Sequence, residues 1–173
     1  MVNRIHNGYG AKGCQPGDWE APVYIELVKY PDVFLRFVSK DVPFPLDDKT
    51  SRLIKFMARA MYQHHGIGLA AIQIGVPKRI IVMDISKDQT QKEPRFFVNP
   101  VIKNKDVLKS TYEEGCLSVP NQFAEIDRPK KCEVEYLDYS GEKKTLKAEL
   151  NKALKEALQE MIKRNVMITF QRR

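Results

Sequence analysis

Tyr112-Glu113-Glu114-Gly115-Cys116-Leu117-Ser118-Val119-Pro120 is the stretch on which the reading of this chain turns. One cysteine sits between a glycine and an apolar residue, two carboxylates precede it, and a proline ends the segment. Chemically, Cys116 is a soft ligand or nucleophile on a tight turn, with the Leu117 amide beside it. A lone cysteine is also commonly a buried, inert packing residue. The stretch alone leaves both readings open.

A second stretch lies upstream, Gly66-Ile67-Gly68-Leu69-Ala70-Ala71-Ile72-Gln73-Ile74-Gly75. Its first two glycines permit close backbone approach, and its only polar side chain is Gln73, an amide able to donate to a developing oxyanion. Read by itself, this is a glycine-rich turn entering a buried strand. Taken together and in this order, GIGLAAIQIG and EGCLSVP resemble the first two signature motifs of the peptide deformylases. That resemblance implies an α+β fold of small antiparallel sheets around a C-terminal core helix. It implies Cys116 as a metal ligand, Gln73 and the Leu117 amide as oxyanion stabilisers, and Glu160 as general base. Gly66, Ile67, Gly68 and Leu69 would bind the peptide backbone. The implied reaction removes the formyl group from the N-terminal formyl-methionine of new polypeptides. The usual metal of the family is ferrous iron (Fe2+), with zinc or nickel substituting.

Deformylases resemble one another in a third motif, His-Glu-x-x-His on the last core helix, where i and i+4 imidazoles share a face and join the cysteine thiolate around one metal. Here no histidine follows His65. The corresponding segment reads Leu158-Gln159-Glu160-Met161-Ile162-Lys163-Arg164. One register sets Gln159 and Lys163 at the histidine positions with Glu160 between them; the register one residue later sets Glu160, Met161 and Arg164 there. In both, the imidazoles are gone and a cation stands in for one. A catalytic metal is therefore expected to be absent or weakly held, and the activity impaired or lost. The alternatives are an active deformylase whose metal site is unusual or completed by a partner, and a basic module associated with ribosome or RNA. If another reading frame of the DNA encoding residues 145–173 spells His-Glu-x-x-His, the C-terminus is a frameshift.

The remaining expectations come from composition and periodicity. With 173 residues, 43% of them hydrophobic, the chain is long enough for one cored domain. We expect an irregular arm over residues 1–20, with four of the nine glycines, followed by a single domain over 21–173. No apolar run approaches the ~20 residues that span a bilayer, so no membrane partner is expected. Three cysteines are an odd, sparse set that argues for a reducing compartment. A cytoplasmic location follows, with an organelle as the alternative because Arg4 and Lys12 precede the first acid, Asp18. Net charge is +7, and the segment from Gly141 onward, with nine basic and four acidic residues, holds +5 of it. Such a face suits a ribosomal or RNA surface, or simply a solvated helix exterior. The oligomeric state is left open.

Locally, residues 22–30 read as a strand ending at Pro31. Asp47-Asp48 open a helix running to about His64, with Leu53, Met57 and Met61 forming an i, i+4 stripe beside Ile54 and Ala58. His64 and His65 fit a helix end better than a chelate. Arg79–Asp84 and Phe96–Val98 read as apolar strands, the second stopping at Asn99-Pro100. Cys132–Tyr136 alternates as a half-buried strand; Asp138–Gly141 turns the chain, Lys144–Lys147 returns, and a helix begins at Glu149.

Overall fold

The computed structural model describes residues 24–84, 86, 92–105 and 107–148. The expected N-terminal arm, the helix from Glu149, the basic terminal segment and the positions Gln159, Glu160, Lys163 and Arg164 lie outside these residues. The fold is α+β: helix α1 (Asp48–Gln63) packs on a five-stranded antiparallel sheet, and a separate two-stranded sheet carries the cysteine.

Helix α1 starts where the sequence offers a cap. The Asp47 carboxylate accepts the Thr50 N–H at 2.7 Å, satisfying one of the amides that a helix start leaves without a partner. The expected stripe is buried, with Leu53, Ile54, Met57, Ala58 and Met61 all 4% exposed or less. The helix ends in a Schellman turn: the His65 N–H donates to the Tyr62 carbonyl (3.0 Å) and the Gly66 N–H to the Met61 carbonyl (2.9 Å). His64 is the C-cap, and His65 takes the left-handed position at φ 54° that glycine usually fills.

In the larger sheet the strands run in the order β1 (Gly68–Ala70), β2 (Ile80–Met83), β3 (Arg95–Lys105), β6 (Cys132–Leu137), β7 (Lys143–Ala148). Strand β2 reads as an unbroken apolar run because both faces are covered. Ile80 and Val82 pack with α1, whereas Ile81 and Met83 join Phe97, Cys132 and Val134 in a second cluster. The expected alternation in β6 holds. Cys132 and Val134 are buried, while Glu133 pairs with Lys147 and Glu135 with Lys103 and Lys143 on the other face. Gly141, at φ 87°, closes the β6–β7 hairpin.

Three local readings need correction. Residues 24–29 form no strand, because their hydrogen bonds go to unlike elements instead of one ladder: the Ile25 N–H to Gln63 Oε1, the Val28 N–H to the Gln73 carbonyl, the Tyr30 N–H to the Ser118 carbonyl. Strand β3 does not stop at Asn99-Pro100. A bulge between Val98 and Val101 absorbs the proline, with Asn99 at φ 50° and its side-chain amide bonded to both the N–H and the carbonyl of Val42. Pro120 does not end its segment either; it lies in β5 (Val119–Pro129), paired with β4 (Lys109–Cys116).

Candidate active site

The two glycine-bearing stretches meet through Ser118. Strand β1 leads into a 3-10 turn over Ala71–Ile74 that Gly75 terminates at φ 80°. Gln73 lies in this turn, fully buried. Its Oε1 accepts the Ala70 N–H at 3.0 Å and its Nε2 donates to Ser118 Oγ at 3.1 Å. Bonds at both ends of the amide settle which end is oxygen and fix its plane.

On the other side, β4 ends at Cys116 and the chain turns through Leu117 and Ser118 into β5. Gly115 lets the Phe123 ring lie close over the strand: a Cβ there would come within 2.7 Å of the ring and push it aside. A bulge between Gly115 and Cys116 re-aims the cysteine. The Ser118 N–H donates to Cys116 Sγ at 3.3 Å. Ser118 is itself fully buried, so one residue touches both the amide of the first stretch and the sulfur of the second. Leu117 is buried in the α1-side cluster, which anchors the peptide unit beside the cysteine.

Segment 25–30 clamps this junction through the Val28 and Tyr30 bonds to Gln73 and Ser118. At its other end, His64 Nε2 lies 2.6 Å from the Ile25 carbonyl, as the donor of that bond. His64 is thus a helix-end clasp. His65 lines a cavity of about 200 Å³ with Tyr62, Gly66, Ile67, Asp84, Ser86 and Lys92. In that cavity the Tyr62 hydroxyl donates to Asp84 Oδ2 at 2.6 Å, and the carboxylate also accepts the Ser86 and Glu93 N–H groups. Burial works to raise the Asp84 carboxyl, but these hydrogen bonds outweigh it and hold it below its ordinary value. Burial first, then the bond to Asp84, push the Tyr62 hydroxyl far above its own. Lys92 Nζ stands 5.1 Å from the Tyr62 ring centre.

Gly68 and Leu69 lie in β1, which pairs only with β2 among the described residues, in the register Gly68–Met83, Leu69–Val82, Ala70–Ile81. Its outer side is a sheet edge able to pair with an extended chain. Gly66 and Ile67 lead into that edge, and the Asp84 N–H holds the Ile67 carbonyl at 2.9 Å. Gln73, Cys116, Ser118 and the β1 edge therefore belong to one neighbourhood. Sequence reading missed Ser118 as the link; the signal available was a small hydroxyl two residues beyond the cysteine. Tyr62 and Asp84 were missed as well, lying in a helix and at a strand end with no motif to flag them.

A family model described as polypeptide deformylase matches residues 24–163. The chain belongs to the peptide deformylase family. It is 65% identical over 123 residues to the peptide deformylase of Pelagibacter ubique, covering 71% of each chain. It is 47% identical over 116 residues to that of Maricaulis maris, covering 67% of this chain and 66% of that one. The chain thus spans about two thirds of the length of such curated relatives. Among solved structures, a probable peptide deformylase from Synechococcus phage S-SSM7 superposes with a TM-score of 0.74 at 36% identity, over 81% of this chain and 93% of that one. The Ehrlichia chaffeensis peptide deformylase superposes with a TM-score of 0.74 at 34% identity, over 82% and 83%. Membership brings a metal-dependent hydrolase lineage. Among the described residues of this deformylase homologue, no three His, Cys, Asp or Glu side chains cluster as a metal site, and none of its helices is long and apolar enough to cross a membrane.

Proposed function

We propose that this chain keeps the formyl-peptide cradle of a deformylase and, as written, carries out little or no deformylation. The carrying observation is in the donor set. A catalytic metal needs about three protein ligands, and in this sequence the segment at the third motif, Leu158 to Arg164, holds no histidine. His64 is held at the Ile25 carbonyl and His65 lines the Tyr62–Asp84 cavity. Of the family's three ligands Cys116 alone remains, and Lys163 or Arg164 repels a divalent cation at one lost position. These residues do not fit the family's iron, zinc or nickel, so no hydrolytic step is routed through a metal, and Glu160 has no activated water to deprotonate.

The cradle argues for retained recognition. An extended peptide adds to the β1 edge along Gly66, Ile67, Gly68 and Leu69 by main-chain hydrogen bonds. With its formylated end at Gln73, just beyond Ala70, the peptide runs back toward Gly66, antiparallel to β1. There the Gln73 amide and the Leu117 N–H face the formyl oxygen, the position that oxyanion donors take in acyl hydrolysis. Such a protein would act in N-terminal processing as a binder of nascent formyl-methionyl chains, in a cytoplasmic setting. Calorimetric titration with formyl-Met-Ala-Ser and with unformylated Met-Ala-Ser tests this. We expect binding of the formylated peptide only, with no formate released; equal affinity for the two, or no binding, overturns it. Formate release at an enzymatic rate would favour the second reading, an active site completed by a partner or by unusual ligands, to which the intact Gln73–Ser118–Cys116 junction lends support.

A further inference from the structure

We propose that a groove beside the start of α1 binds a small phosphomonoester with an apolar or aromatic body, of mononucleotide size. The groove encloses about 470 Å³ and is lined by Lys49, Arg52, Leu53, Val76 and Lys78. That volume falls in the range of small-molecule sites. Its floor is aliphatic, with Leu53 buried and Val76 half-buried, and its rim is cationic. Among the described residues no acidic side chain lines it.

Three features make this more than a solvated lysine face. Neither Lys49 nor Arg52 forms an ion pair among the described residues. Lys78 is positioned: its Nζ donates to Thr50 Oγ1 at 2.6 Å, and a parallel bridge to Lys40 fixes its backbone. Its hydrogen-bond partner is a neutral hydroxyl, and it forms no ion pair among the described residues. Asp47 lies near enough to feel Lys78 and Lys49, and its carboxylate also caps the Thr50 N–H. Asp48 lies in the same first turn but does not line the groove. A guanidinium fork and two ammonium groups around an apolar floor match a phosphate dianion attached to a flat body, since arginine takes phosphate oxygens in pairs. The groove and the cradle share no lining residue, so this inference stands independently of the proposed function.

The test is titration of the full-length 15N-labelled protein with adenosine 5′-monophosphate, adenosine, inorganic phosphate and anionic phospholipid vesicles. We expect the nucleotide to shift amides at 47–53 and 76–78, to bind at least tenfold more tightly than adenosine or phosphate, and to weaken as salt is raised from 0.05 to 0.5 M. Arg52→Glu should lose at least tenfold in affinity, with Lys78→Gln as the second variant should Arg52→Glu not fold. Lys109→Glu, on β4, should change nothing. Equal affinity for nucleotide and phosphate marks an adventitious ion only and overturns the proposal, as do unchanged binding in the folded variants, absence of nucleotide binding, or binding to vesicles alone.

Discussion

The hydrogen bond from Gln73 to Ser118 joins the two family stretches, and a double-mutant cycle measures it. Both side chains are fully buried, so neither lost partner is replaced by bulk water. Ser118→Ala leaves the N–H donor of Gln73 without its acceptor, and stranding a buried donor costs about 1–3 kcal/mol. The backbone N–H to Cys116 Sγ survives that change, because it belongs to the main chain. Gln73→Leu costs more, about 2–4 kcal/mol, since the Ala70 N–H then also loses its acceptor. In the double variant the Gln73 donor no longer exists, so the serine truncation adds little. The sum of the single losses should therefore exceed the double loss by most of the serine's own loss, about 1–3 kcal/mol. Urea unfolding followed by fluorescence suffices: with a slope of about 1–3 kcal/mol per molar, a loss of about 2 kcal/mol moves the midpoint by roughly 1 M. Additivity within about 0.3 kcal/mol would refute the reasoning, because the two side chains would then not be bonded in solution.

His65→Gly relieves the left-handed backbone at the end of α1 and should stabilise the protein by about 1 kcal/mol, raising the thermal midpoint by ~3 °C; a lower midpoint would show that the ring's contacts in the cavity outweigh the strain. Tyr62→Phe removes the donor to Asp84 and should cost about 1–2 kcal/mol at pH 7. Because the folded Asp84 carboxyl lies below its ordinary value, the bond's contribution is present above the unfolded carboxyl's pKa of ~4 and is lost as pH falls through the folded one. The gap between the Tyr62→Phe variant and the parent should therefore close in acid, and urea midpoints at pH 7, 5 and 3 that keep a constant gap would contradict this.

Much of the fold was legible because its signals are local. The Asp47 cap, the Leu53–Met61 stripe, the β2 run and the β6 alternation each follow from spacing within a few residues. What was not legible depends on partners distant in sequence. Residues 24–30 carry a strand-like pattern, yet their amides go to Gln63, Gln73 and Ser118 on three different elements. The β4–β5 hairpin was missed because its strands expose mostly polar side chains and contain Pro120, leaving no alternation to read. At the site, the motif resemblance brought out Gln73 and Cys116. Ser118 shows its role only once the 45-residue separation from Gln73 is closed by folding.

The most direct test of the central claim is formyl-methionyl peptide hydrolysis under anaerobic ferrous iron or nickel, with metal content measured on the same samples. The unaltered protein is compared with Gln159→His/Lys163→His and with Glu160→His/Arg164→His. The account predicts no stoichiometric metal and no turnover above background in the parent, and both in one of the two double variants, which would also fix the register of the lost motif. Stoichiometric metal with sustained turnover in the unaltered chain would contradict it.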